Sequence, residues 1–141
     1  MLIRAEESKD WPLVHALNAS VFDTPAEARL VDALRQNATQ IISLVAVDGA
    51  EIVGHILFSP VSMANDPDLK IMGLAPMAVA VARQRCGIGS LLVRAGLERC
   101  QQLGFGAVVV LGHPAYYPRF GFVPAARFGT THPSKHLWPW N

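Results

Sequence analysis

The residues best suited to chemistry lie in one run, Met77-Ala-Val-Ala-Val81-Ala-Arg-Gln84-Arg-Cys-Gly87-Ile-Gly89-Ser90. An apolar strand there leads into a loop with glycines, and the loop opens a helix. The first N–H groups of a helix have no partner inside it, and the aligned peptide dipoles place partial positive charge at the same end. A diphosphate satisfies both, provided the chain can approach closely, which Gly87 and Gly89 permit. Arg83 and Arg85 add formal positive charge to the loop. Glycines at such a junction can equally do no more than make the turn, and on Gly87 and Gly89 alone the two readings stand level. Other phosphate loops fail on residue type. A P-loop ends in Gly-Lys-Ser/Thr, whereas Gly89 is followed directly by Ser90. A dinucleotide turn needs a third glycine where Leu92 stands and an acid where Gly112-His113 stands.

Outside this loop a few side chains could move protons. His113 follows the strand Val108–Leu111 at its carboxyl end, where ligands collect in open sheets, and its imidazole titrates near neutrality. It is the leading candidate for a base or an acceptor contact. Glu27 and His55 are further candidates, but Glu27 has a capping explanation and His55 sits within a strand, where a hydrogen-bonded core histidine is expected. After Asp68 the only acid is Glu98, on a helix face away from the loop. Cys86 lies beside Arg85, which favours a thiolate, yet no histidine is near in sequence to activate it as an acyl carrier. His132 and His136 have a metal-compatible spacing, but Pro133 breaks the helix it requires and no third ligand accompanies them.

The surrounding sequence supplies elements to hold these groups. Residues 2–5 read as a strand, and Asp10 can cap a helix running to about Phe22. Thr24-Pro25-Ala26-Glu27 has the form of a capping box ahead of Leu30, Val31 and Leu34. Ile41–Val47 and Glu51–Ser59 flank Asp48-Gly49, a hairpin signal. Asn65-Asp-Pro-Asp68 reads as a loop. Ile71–Val81 reads as a central strand with an irregularity at Pro76. Ile88–Leu103 is a helix stopped by Gly104, Ala107–Leu111 a buried strand, and Ala115–Phe120 a turn or two of helix ended by Gly121.

Gln84 to Gly89 fits the pattern Gln/Arg-x-x-Gly-x-Gly/Ala and, with its strand and helix, resembles the acetyl-coenzyme A motif of the GNAT N-acetyltransferase superfamily. Ala115-Tyr116-Tyr117-Pro118-Arg119-Phe120-Gly121-Phe122 is similar to the family's late Tyr-x-x-x-Gly-Phe element, at the right separation. The stretch Gly73–Pro124 resembles an uncharacterised bacterial subgroup, and the resemblance spans roughly residues 1–125. It implies an α/β (α+β mixed) GNAT-like acyl-CoA N-acyltransferase fold, three-layer α/β/α, with a mostly antiparallel sheet splayed at the cofactor. It also implies one N-acetyltransferase domain over 1–141, with an atypical tail at 126–141. The implied reaction moves an acetyl group from acetyl-CoA, without a metal, to an amine of a small molecule, peptide or protein by direct attack.

Carried onto these positions, the resemblance gives the backbone of Ala78, Val79 and Ala80 to the pantetheine arm. The amides of Gln84, Arg85, Cys86, Gly87, Ile88, Gly89 and Ser90 go to the pyrophosphate, and Tyr117 becomes the donor that protonates the departing thiolate. The N–H of Val79 is the candidate oxyanion donor. Relatives carry a proline and an acid where Val81 and Ala82 stand, and close with an apolar strand where this chain has Thr130–Asn141, with Pro133 and Pro139. A non-catalytic acyl-CoA-binding or interaction module would share the loop and account for that tail and for the lack of an obvious base.

Composition agrees with a small-anion ligand. At 141 residues, 51% hydrophobic, the chain can bury a core. The net charge of +1 conceals a strong asymmetry, −6 over residues 1–68 and +7 over 69–141, so the second half is suited to facing an anion. Its bases are scattered rather than grouped with aromatics, which argues against nucleic acid. The apolar stretches are too short or too interrupted to span a bilayer, and no signal peptide is evident at the N-terminus. Cys86 and Cys100 are too few for a disulfide scaffold, so a cytoplasmic setting is expected. Trp138 and Trp140 suggest a tail that docks on the domain or on a second copy, giving a homodimer.

Overall fold

Strand β1 (Leu2–Ala5) is followed by two helices, α1 (Trp11–Val21) and α2 (Ala26–Asn37), and then by strands β2 (Ile42–Asp48), β3 (Glu51–Met63) and β4 (Asp66–Val79). After α3 (Ile88–Gln102) come β5 (Ala107–Leu111), β6 (Val123–Pro124) and β7 (Lys135–Pro139). The computed structural model describes residues 1–38, 40–63, 66–111, 116–124 and 135–139. The strands share one sheet in the order β1-β2-β3-β4-β5-β7-β6, and among the described residues only the β4–β5 pair is parallel. The mixed, mostly antiparallel sheet expected from sequence is present.

Helices cover both faces. On one, Ile88, Leu92, Val93, Leu97 and Cys100 of α3 pack against Ile56, Phe58, Met72 and Leu74. Gly96 lets the helix come down onto the sheet, because a Cβ there would overlap the Phe58 ring. On the other face, Val14 of α1 and Val31 of α2 meet Val45 and Leu57. Fully burying each such aliphatic side chain contributes roughly 1.5–3 kcal/mol, which is what binds the three layers.

Several local expectations need correction. Asp66 opens β4, paired with Met63, so the Asn65–Asp68 stretch is not a loop as a whole. β3 runs beyond Ser59 to Met63, and continued ladder pairing there overrides turn composition. Neither helical cap forms as drawn. Asp10 accepts from Arg4 and from the Glu7 N–H, and Thr24 Oγ1 accepts only the Ala26 N–H at 3.3 Å, with Pro25 at the cap position. The central strand stops at Val79, and Val81–Arg83 form a 3-10 turn. The tail also holds a strand. Lys135–Pro139 inserts between β5 and β6, where two partner edges supply the ordering that its own sequence lacks. The Trp138 side chain and Trp140 lie outside the described residues, as do His113 and His132.

Pro76 marks an irregularity, as expected. The β3–β4 register shifts between Ile56, opposite Met77, and Phe58, opposite Leu74. Among the described residues the ladder to β5 runs from Ile71↔Ala107 to Leu74↔Val110, while β4 continues to Val79 paired with β3. The sheet therefore splays beyond Leu74.

Candidate active site

Residues of an antiparallel pair alternate in bonding toward and away from the partner strand. Ala80 donates to the Val53 carbonyl at 2.9 Å, and Val79 stands opposite Gly54. Ala78 and Ala80 therefore turn their backbone groups to β3, while Met77 and Val79 turn theirs to the splayed edge. The Val79 carbonyl accepts from the Gln84 side chain at 3.0 Å, fastening the loop to the end of the strand.

That edge borders a cleft of about 550 Å³. Met77 and Val79 form one wall, and Gln84, Arg85, Gly87, Ile88, Gly89 and Ser90 form the floor. Tyr116, Arg119, Arg83 and Val21, the last residue of α1, complete it. Gly87 takes φ 85° as the residue before α3, a conformation that penalises any side chain, and Arg85 adopts φ 64°. The Leu91 N–H closes the first helical turn on the Gly87 carbonyl at 3.1 Å. The N–H groups of Ile88, Gly89 and Ser90 thus have no partner within the helix. Arg83 is ion-paired with Asp48 of the hairpin, and the Arg119 guanidinium lies 4.5 Å over the Tyr116 ring.

Most of the loop residues singled out from sequence meet here. Ala78, Ala80 and Cys86 do not line the cleft: Ala78 is buried beneath the sheet, and Cys86 is exposed, its thiol directed at the Gln84 carbonyl. Met77, Arg119 and Val21 were not anticipated. Arg119 had only the basic charge of the second half to point to it.

The two tyrosines divide. Tyr116 faces the cleft, and a Cβ on Gly89 would come within 2.9 Å of its hydroxyl. Tyr117 packs behind it, edge-on to Tyr116 at 5.1 Å and to Phe122 at 5.5 Å. Burial, with a smaller effect from Tyr116, pushes the Tyr117 hydroxyl up to about 12, so it stays protonated.

Of the candidate bases, His113 lies outside the described residues. His55 is wholly buried: its Nδ1 accepts from Asn18 at 3.2 Å and its Nε2 donates to Ser43 Oγ at 2.9 Å. Burial, then the nearby Arg35, lowers it to about 3, and it is a neutral core histidine as expected. Glu27 lacks its expected cap; it is half-buried, and among the described residues its Oε2, like Asn18 Oδ1, is buried without a hydrogen-bond partner.

A splayed sheet whose open strand end leads to a glycine-marked helix start defines an acyl-coenzyme A-binding architecture. The model of the Acetyltransferase (GNAT) family matches residues 3–122, and the chain belongs to that family. It is 40% identical over 140 residues to the Escherichia coli K12 protein named "Uncharacterized N-acetyltransferase YhbS", covering 99% of this chain and 81% of that one. The crystal structure of Escherichia coli YhbS in complex with CoA superposes with a TM-score of 0.91 at 36% identity, covering 98% of this chain and 80% of that one. A GNAT family acetyltransferase from Brucella melitensis in complex with acetyl-CoA gives 0.86 at 32% identity, over 99% and 88% of the two chains.

Proposed function

We propose that the protein transfers the acetyl group of acetyl-CoA to an amine of a small molecule, peptide or protein. The observation that carries this reading is the junction of an open β4 edge with the unpartnered N–H groups at the start of α3. Features of the cleft support the reading. Free amides from Ile88 to Ser90, with Arg85 and Arg119 beside them, suit a pyrophosphate. The absence of side chains at Gly87 and Gly89 leaves it room. Met77 and Val79 would bond the pantetheine arm as an added strand, in place of the trio centred on Val79. The Val79 N–H would stabilise the oxyanion of the thioester carbonyl. Tyr117 would protonate the thiolate as it leaves, a role for which a hydroxyl that remains protonated is suited. His113, just beyond β5, remains a candidate contact for the acceptor.

The reading treats the chain as one catalytic domain acting in the cytoplasm. Two free cysteines, exposed Cys86 and buried Cys100, support a reducing compartment. The direct test is thiol release from acetyl-CoA across glucosamine, spermidine and a lysine-containing peptide. Amine-dependent release is expected with at least one of them. Release that no amine accelerates would overturn catalysis and leave a binding module.

A further inference from the structure

We propose that Asp48, in the turn of the β2–β3 hairpin, is a positioning residue for coenzyme A: by pairing with Arg83 it holds the loop between β4 and α3 in the shape that receives the diphosphate. This rests on the acetyl-CoA reading above and concerns affinity for the cofactor rather than the acyl step.

The loop has little else to hold it. From Val81 to Gly87 no side chain is buried, and Arg83 alone is half-buried. Apolar burial, which secures α3 and the sheet, therefore contributes almost nothing there. The backbone is nonetheless demanding, with Arg85 at φ 64° and Gly87 at φ 85°. A left-handed conformation at a residue other than glycine persists only where the surroundings enforce it. The bonds from the Arg83 N–H to Ala80 and from the Gln84 N–H to Val81 stay inside the segment. Among the described residues, two side chains tie it to the sheet. Gln84 donates to the Val79 carbonyl at 3.0 Å, at the end of the strand that the loop itself leaves. Arg83 pairs with Asp48, 35 residues away in sequence, and so ties the loop to a different element.

Asp48 is placed to serve as that anchor. It ends β2, and Gly49, at φ 62°, turns the chain into β3. The Val53 carbonyl of β3 accepts the Ala80 N–H at 2.9 Å, so the hairpin grips the base of the loop as well as Arg83. Electrostatics alone would not put an acid here. Arg83 lines the cleft, yet its charge is matched by Asp48, which leaves Arg85 and Arg119 as the lining cations without a carboxylate partner among the described residues. If attraction of an anion were the sole demand, a neutral residue at position 48 would serve better. Holding the loop is what the carboxylate adds.

The test measures the Kd of coenzyme A by calorimetry for wild type, Asp48→Asn, Arg83→Gln, the double variant and Glu51→Gln. Glu51 stands opposite Asp48 in the hairpin, exposed and without an ion pair among the described residues, so its replacement removes the same charge without the tie. Asp48→Asn should raise Kd about 2–5-fold, the range an exposed ion pair supports, with kcat at saturating acetyl-CoA unchanged and Glu51→Gln like wild type. In the Arg83→Gln background Asp48→Asn should add nothing, since Asp48 acts through Arg83. Without ligand, trypsin should cut Asp48→Asn after Arg85 about 2–5-fold faster than wild type, and coenzyme A should restore protection. An Asp48→Asn variant that binds as tightly as wild type or more so, is cut no faster, or weakens binding further in the double variant overturns the role. Parallel loss of kcat and melting temperature makes Asp48 merely structural and overturns it too. A wild type that binds no coenzyme A overturns this inference and the transferase reading together. A wild type that binds it but acetylates no amine overturns the transferase reading alone, and the Kd comparison still decides the role of Asp48.

Discussion

Gly89, Tyr116 and Tyr117 meet within a few ångströms, and their roles separate by burial. Tyr117→Phe is expected to reduce turnover by about 10²-fold with acetyl-CoA affinity unchanged, whereas Tyr116→Phe should raise KM for acetyl-CoA with a smaller effect on kcat. Steady-state kinetics of the two variants distinguishes the assignments, and the reverse outcome would move the acid role to Tyr116. The loop was legible in sequence because its demands fall on backbone: a left-handed residue at Gly87 and close approach at Gly89 are visible as residue types. The residue types point to Tyr117 as the functional tyrosine and to Tyr116 as a packing residue, yet it is Tyr116 that lines the cleft. The two are adjacent in sequence, and the choice is made by Arg119 and Phe120 against Tyr116 and by Phe122 against Tyr117. That Glu27 caps nothing was hidden for a related reason, because Thr24-Pro-Ala-Glu27 writes a capping box that the fold does not form.

Between elements, the interactions that position the cleft's framework are partly titratable. The Arg4 guanidinium, with the Glu7 N–H assisting, lowers Asp10 from 3.8 to about 2, and burial lowers His55 from 6.5 to about 3. In both cases the unfolded chain binds protons first as pH falls, so these groups contribute fully above about 6.5. The contribution then declines, through His55 below 6.5 and through Asp10 below 3.8. His55→Gln should therefore flatten the melting temperature against pH between 6.5 and 4, and Asp10→Asn should do so only below about 4. An unchanged slope for His55→Gln would show that the histidine is not buried neutral. Gly96→Ala should lose about 1–3 kcal/mol in denaturant unfolding, because α3 must lift from Phe58. The hairpin at Asp48-Gly49 and α3 were evident from composition. β7 was not, since a segment ending in proline becomes a strand only when β5 and β6 present edges to it.

At the scale of the molecule, the basic second half supplies the charge of the cleft, where Arg83, Arg85 and Arg119 gather around the start of α3. The three-layer arrangement was implied by the family resemblance. The splay that creates the site depends on where the β4–β5 ladder stops, and that is set by register rather than by any residue. The account stands or falls on whether this site grips coenzyme A. Thermal unfolding with coenzyme A at a hundred times its dissociation constant tests it most directly. Ligand binding to the folded state alone should add about 2.7 kcal/mol and raise Tm by about 9 °C, and Gly89→Val should erase the shift. A Tm that does not respond to coenzyme A, or responds equally in Gly89→Val, would contradict it.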